Sequence, residues 1–330
     1  MNTIPTVPPV GIMRLSDIDE TRDVALITSG PAWNAVSNLL RLSVTVRKDI
    51  SIADEAHWNS MIGDITGDVI YAVGGGLAVD TGKYLSYKTG LPLVCIPTVL
   101  SVDAFFTWAS GVRKNGCVIY LETKTPDQVI IDYDVLAAGP PAVRAAGICD
   151  VLSIATGSWD WQYAETLGKN PPSMGYVPHV ADTARSIMLG VLDAAFAMGR
   201  GDIDGFKGLL DALMMEVQLT NQIGHARPEE GSEHYFAYAV ENEMGHGLPH
   251  GDLVGPGIVL GAALQDQDVT PLKQALKAAG IPLNNISKNI IEKTISILPQ
   301  YCARHDLPYG IAHEATQKDL EKIDIERLLG

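Results

Sequence analysis

The sequence predicts a two-domain chain: an α/β N-terminal domain with a parallel sheet over residues 1–136, then an all-α C-terminal domain over residues 137–330. Three observations carry that expectation. At 330 residues the chain exceeds the size at which single hydrophobic cores stop growing, so two domains are the better prior. Its first part alternates short β-rich runs with helical stretches, which implies βαβ units and a Rossmann-like parallel sheet. After about Asp134 the strand signals stop and long amphipathic patterns take over.

Taken in order, residues 24–28 read as a strand, 33–40 as a helix, 43–47 as a strand, 54–65 as a helix and 69–73 as a strand. A helix is expected over 79–88, and further strands over 93–96, 117–121 and 128–131. In the second half, helical spacing covers 180–198, 205–223, 235–243, 253–263 and 270–279. The stretch 168–178, rich in Pro and Gly, reads as a loop between helices.

Composition narrows the function classes. With 39 acidic against 24 basic side chains, a net charge of −15 and no cluster of Lys or Arg, the chain repels phosphate backbones and anionic membranes, so nucleic acid is excluded as a partner. Apolar residues at 46% and charged residues at 19% are those of an ordinary soluble globular protein. Residues 1–10 lack the basic and apolar regions of a signal peptide, and the best apolar run, 186–199, is interrupted by Asp193 and too short to span a bilayer. Cys95, Cys117, Cys149 and Cys302 stand far apart with no Cys-x-x-Cys pair, as reduced thiols do. The expectation is a cytoplasmic homo-oligomer with a small-molecule substrate and no membrane insertion.

Two histidine motifs point to chemistry. Gly231-Ser232-Glu233-His234 and Pro249-His250-Gly251 set imidazoles and neighbouring carboxylates on either side of one short helix, where two imidazoles can share a metal ion. A catalytic ion needs a third protein ligand and an open position. Asp150, between Cys149 and Val151, is a candidate because a carboxylate with apolar neighbours is costly to bury unpaired. The competing reading makes Asp150 a helix N-cap. His246 lies four residues before His250 and competes with it for the ligand role.

A second set of residues suits a nucleotide. The strand 69–73 runs into Gly74, Gly75 and Gly76 and then a helix with Asp80 in its first turn, and glycines there let the backbone approach a pyrophosphate that helix N–H groups face. A plain strand-to-helix turn, with Asp80 complementing the helix dipole, is the alternative. The next loop, through Thr98, Ser101 and Asp103, should reach the same sheet edge. Thr98, Ser101 and Thr107 offer hydroxyls to a cofactor, and Asp103 could orient a substrate hydroxyl; Ser101 also suits a turn.

These motifs, in this order, resemble those of the superfamily of glycerol dehydrogenases, glycerol-1-phosphate dehydrogenases, iron-containing alcohol dehydrogenases and dehydroquinate synthases. Within it the glycerol-1-phosphate dehydrogenase family looks closest, through Ala145-Ala-Gly-Ile-Cys-Asp150, Trp159-Asp160-Trp161, Arg227-Pro228 and Gly231-Ser-Glu-His234. The resemblance implies a dehydroquinate synthase-like fold and one divalent metal on Asp150, His234 and His250, with zinc placed ahead of iron. It also implies NAD or NADP at Gly74 to Gly76, Asp80 and Thr98, and a small polyol or polyol phosphate as substrate. The implied activity is hydride transfer between nicotinamide and that substrate, in a cleft between the domains.

Two departures bear on the substrate. The family's Ser-His-Asp is Ser101-Val102-Asp103 here, and its Arg-rich segment before a Tyr is Arg304-His305-Asp306-Leu307-Pro308-Tyr309, which offers fewer positive charges to a phosphate. A dehydroquinate synthase-like cyclase or lyase using NAD transiently is the alternative function. It lacks the expected Gly-Gly-Lys-Thr, for which Arg113 or Lys114 would have to substitute. A binding module with relic sites is the third reading.

Overall fold

Strands β1 (Val10–Ile12), β2 (Asp23–Thr28), β3 (Ser43–Asp49), β4 (Val69–Gly74), β5 (Leu93–Pro97), β6 (Ala109–Lys114), β7 (Cys117–Glu122) and β8 (Gln128–Ile131) form two sheets in the computed structural model. Residues 3–316, 318–319 and 323–330 are described. The larger sheet has six strands in the order β1-β8-β5-β4-β2-β3, every pair of them parallel. All six residues of β4 are buried, as a central strand covered on both faces requires, while the edge strand β3 is largely exposed.

The chain divides into two compact units, Met1–Pro140 and Pro141–Gly330. In the first, helices α1 (Gly30–Val36), α2 (Glu55–Met61), α3 (Gly76–Thr89) and α4 (Tyr133–Ala138) accompany the sheet. The second is helical among its described residues: α5 (Ile148–Thr166), α6 (Pro178–Arg200), α7 (Ile203–Ile223), α8 (Ser232–Met244), α9 (His250–Leu264), α10 (Thr270–Ala278), α11 (Lys288–Arg304) and α12 (Ile325–Leu329). A parallel sheet followed by helices is the fold class that the sequence predicts.

Several elements differ from expectation, each for a physical reason. The strand expected at 117–121 does not join the parallel sheet; β7 pairs antiparallel with β6 instead. Asn115 (φ 55°) and Gly116 (φ 78°) make the turn between them, the left-handed pair that a two-residue hairpin demands. Helix α1 begins at Gly30 rather than residue 33, because Pro31 sits in its first turn, where a fixed φ favours helix and no N–H is missed. Helix α5 carries no clear period because it is buried on most sides, Asp150 and Asp160 included.

Close approach fixes where α8 and α9 cross. A Cβ on Gly257 would sit 2.5 Å from the Glu233 carbonyl oxygen and 3.1 Å from its carbon, so only glycine lets the two backbones meet there.

Candidate metal centre and nucleotide loop

Three helix N-termini of the second unit bring Asp150, His234 and His250 together. Asp150 is the third residue of α5, whose N-cap position is Gly147; the aspartate does not cap the helix but projects from its first turn. His234 is the third residue of α8, and His250 the first of α9. One ligand atom from each lies within 4.8 Å of the others. Oδ1 of Asp150 is 2.6 Å from Nε2 of His250 and 3.7 Å from Nε2 of His234.

The site is mostly closed to water. Asp150 and His234 are each 6% exposed, and the His250 side chain is 27% exposed, which leaves one open side. Burial acts to raise the Asp150 carboxyl, but His250 and His234 beside it reverse this and hold it well below the usual carboxylate range. Burial acts to lower His234, and the neighbouring Asp150 and Glu233 carboxylates outweigh it and raise the imidazole well above its ordinary value.

The donor set fits a divalent ion. One carboxylate and two imidazoles are a set shared by catalytic zinc and ferrous iron, and ligand bonds of about 2.0–2.2 Å put tetrahedral donors roughly 3.4 Å apart. The separation of 3.7 Å is near that value. The 2.6 Å contact is a hydrogen bond instead, whose proton an ion would replace. His246 stays outside the cluster; it is exposed, with Nδ1 3.3 Å from the Gly247 carbonyl oxygen.

In the first unit the glycine turn has the backbone that its sequence suggests. Gly74 has φ 150°, and α3 begins at Gly76 with no side chain capping its N-terminus. First-turn N–H groups without a side-chain cap are the donors an anion needs. The loop after β5 lies on this turn: the Thr98 N–H donates to the Gly74 carbonyl oxygen at 3.1 Å. A Cβ on Gly75 would lie 3.3 Å from Ser101 Oγ, and one on Gly76 2.7 Å from a Val102 methyl. Thr98 and Ser101 are therefore brought to the glycine turn.

Asp80 needs a correction. Because α3 starts at Gly76 and not at residue 79, Asp80 falls in the second turn rather than the first, and its carboxylate engages Lys83 at 3.0 Å. Burial raises the Asp80 carboxyl, opposed by the Lys83 ammonium. Lys83, fully buried, was not anticipated. It donates to the Ala104 carbonyl at 2.9 Å, to Thr107 Oγ1 at 3.0 Å and to the Ala109 carbonyl. Asp80 and Thr107 thus share one cation, which ties α3 to the segment that begins with Asp103 and ends with β6. A lysine three residues after Asp80, among Val79, Tyr84 and Leu85, was the available signal.

Glu233, inside the Gly231-Ser232-Glu233-His234 motif, is a further residue that the sequence alone does not single out. It is fully buried, with Oε1 2.9 Å from His234 Nδ1. Arg113 and Lys114, the substitutes the cyclase reading needs, are exposed on β6. In the Arg-poor tail, the Tyr309 hydroxyl donates to Glu314 at 2.7 Å and its carbonyl accepts from buried Arg227 at 2.7 Å.

Comparison with known proteins gives a consistent result. Residues 19–140 match the family model described as iron-containing alcohol dehydrogenase. A glycerol-1-phosphate dehydrogenase [NAD(P)+] of Methanothrix thermoacetophila is 27% identical over 282 residues, 82% of this chain and 78% of that protein. One from Aeropyrum pernix is 31% identical over 224 residues, 66% of this chain but only 60% of the relative's own length. Among solved structures, glycerol dehydrogenase from Schizosaccharomyces pombe superposes with a TM-score of 0.70 at 19% identity, covering 99% of this chain and 92% of that one. At that identity the likeness shows the fold.

Proposed function

We propose that this chain, which belongs to the iron-containing alcohol dehydrogenase superfamily, is an NAD(P)-dependent, metal-containing polyol dehydrogenase of the glycerol-1-phosphate dehydrogenase-like kind. The observation that carries the reading is the convergence of Asp150, His234 and His250 at three helix N-termini. Those three residues would hold one divalent ion, zinc ahead of iron, which when bound supplies Lewis acidity towards a substrate hydroxyl.

The chain's own residues do the rest. Gly74, Gly75 and Gly76 leave the start of α3 clear for the diphosphate of NAD or NADP, with Thr98, Ser101 and Thr107 as hydroxyl partners. Lys83 holds Thr107 in place and neutralises Asp80. Asp103 orients a second hydroxyl, which suits a vicinal diol. Burial of Asp150 and His234 keeps water from competing on all but the His250 side.

The substrate is a polyol phosphate, a reading supported by the names of the relatives. The cyclase alternative is not favoured: the family match and the relatives are dehydrogenases, and its lysine has no buried counterpart at Arg113 or Lys114. Four buried cysteines, none of them in a disulfide, suit a reducing cytoplasmic setting.

The test is a screen of zinc-loaded protein for NADH and NADPH oxidation with dihydroxyacetone phosphate and with dihydroxyacetone, and for the reverse reaction with glycerol 1-phosphate and with glycerol. Turnover on the phosphorylated pair, lost on chelation and restored by zinc, is expected. Turnover on glycerol alone would remove the phosphate from the reading; no net change in nicotinamide absorbance with any substrate would remove the dehydrogenase itself.

A further inference from the structure

We propose that Glu233 is the positioning residue of the metal site: its carboxylate holds the His234 imidazole in the one tautomer and orientation that present Nε2 to the ion. The inference rests on the metal-dependent reading above. Glu233 is adjacent to His234 in the first turn of α8, and its side chain turns back towards the helix start. Oε1 accepts from the Gly231 N–H at 2.6 Å and faces His234 Nδ1 at 2.9 Å, and Oε2 accepts from the Thr156 hydroxyl at 2.7 Å.

A carboxylate accepts and does not donate, so the Nδ1 facing it carries the proton. Nε2 is then the nitrogen left to an ion, and it is the one that faces Asp150 Oδ1 at 3.7 Å. That is too long for a hydrogen bond and close to the spacing of two donors on one ion, about 3.4 Å. An imidazole held by a carboxylate through its outer nitrogen is the usual means of fixing a metal-ligating histidine.

Glu233 has little freedom to do anything else. It is 0% exposed, its main chain is pressed against Gly257 of α9, and a Cβ on Gly261 would lie 4.0 Å from its own. Burying a carboxylate is costly unless hydrogen bonds and positive charge offset it. The Gly231 and Thr156 bonds give the hydrogen bonding, and an ion on His234 gives the charge. A purely structural Glu233 would act as a tie between the start of α8 and α5. Glutamine would serve that purpose nearly as well, because it keeps the shape and one accepting oxygen.

Metal affinity therefore separates the two roles. Chelator-stripped wild type, Glu233→Gln and His250→Ala would be titrated with cobalt(II) and zinc against a chromophoric chelator, with circular dichroism confirming the fold. Ring nitrogen NMR shifts of labelled histidine would report which His234 nitrogen carries the proton in zinc-loaded wild type and Glu233→Gln. The expected result is Nδ1–H at His234 in the wild type and affinity about 10- to 100-fold weaker in Glu233→Gln. Unchanged affinity in a folded Glu233→Gln, or a proton on Nε2 in the wild type, would overturn the role of Glu233 and leave the metal site standing. Failure of the wild type to bind either ion would overturn both this inference and the reading beneath it.

Discussion

On the proposed function, His250→Ala is expected to lower kcat/KM on the order of a thousandfold or more while leaving the protein folded, because it would remove a donor from the ion that would polarise the substrate oxygen. His250 is the first residue of α9 and its side chain is 27% exposed, so alanine there opens no internal cavity, but it leaves the buried Asp150 carboxylate without its 2.6 Å partner and should cost the metal-free protein about 1–3 kcal/mol. Asp150→Asn should have a similar effect on activity for a different reason. It keeps the shape and removes the negative charge on which both imidazoles depend, Asp150 being 2.6 Å from His250 and 3.7 Å from His234. Steady-state kinetics beside a thermal melt would check both variants. A His250→Ala enzyme within tenfold of wild type would mean that the cluster is not where the chemistry occurs.

The second large effect is on stability. Gly257→Val is expected to cost about 3 kcal/mol or more, since its Cβ would meet the Glu233 carbonyl oxygen at 2.5 Å and backbone cannot swing aside as a long side chain can. The damage should reach the site as well. Helices α8 and α9 carry His234 and His250, so forcing them apart separates the two imidazoles, whose ring centroids are 5.6 Å apart. Denaturant midpoints would measure the loss. Gly190→Ala on α6 is the control: nothing lies within 4 Å of its Cβ, and the change should stabilise by roughly 0.5–1 kcal/mol. Equal effects at the two glycines would contradict the close-approach account.

Much of the fold was legible in the sequence because the strands of the large sheet are short apolar runs bounded by turn residues. Val69 to Gly74 is buried throughout, and the glycines after it mark the turn that α3 starts from. What escaped was carried by weaker signals. The β6–β7 hairpin announces itself only through Asn115-Gly116, and α5 has no hydrophobic period because both its faces are inside. The three histidine and aspartate positions stood out because two imidazole motifs flank one short helix and a carboxylate between apolar neighbours demands a partner. Lys83 and Glu233 did not, because their roles depend on which distant groups the fold brings to them: Thr107 and the Ala104 carbonyl for one, Thr156 for the other. Long-range pairing of that kind leaves no period in one sequence.

The most direct test of the account is zinc stoichiometry. Protein stripped with a chelator and reloaded would be analysed for metal per chain, wild type beside the Asp150→Asn, His250→Ala double variant. One ion per wild-type chain, and none held by the double variant at the same free zinc concentration, is the predicted result. A double variant that keeps one ion with wild-type affinity, or a wild type that keeps none, would contradict the assignment of Asp150, His234 and His250 as the site that activates the substrate.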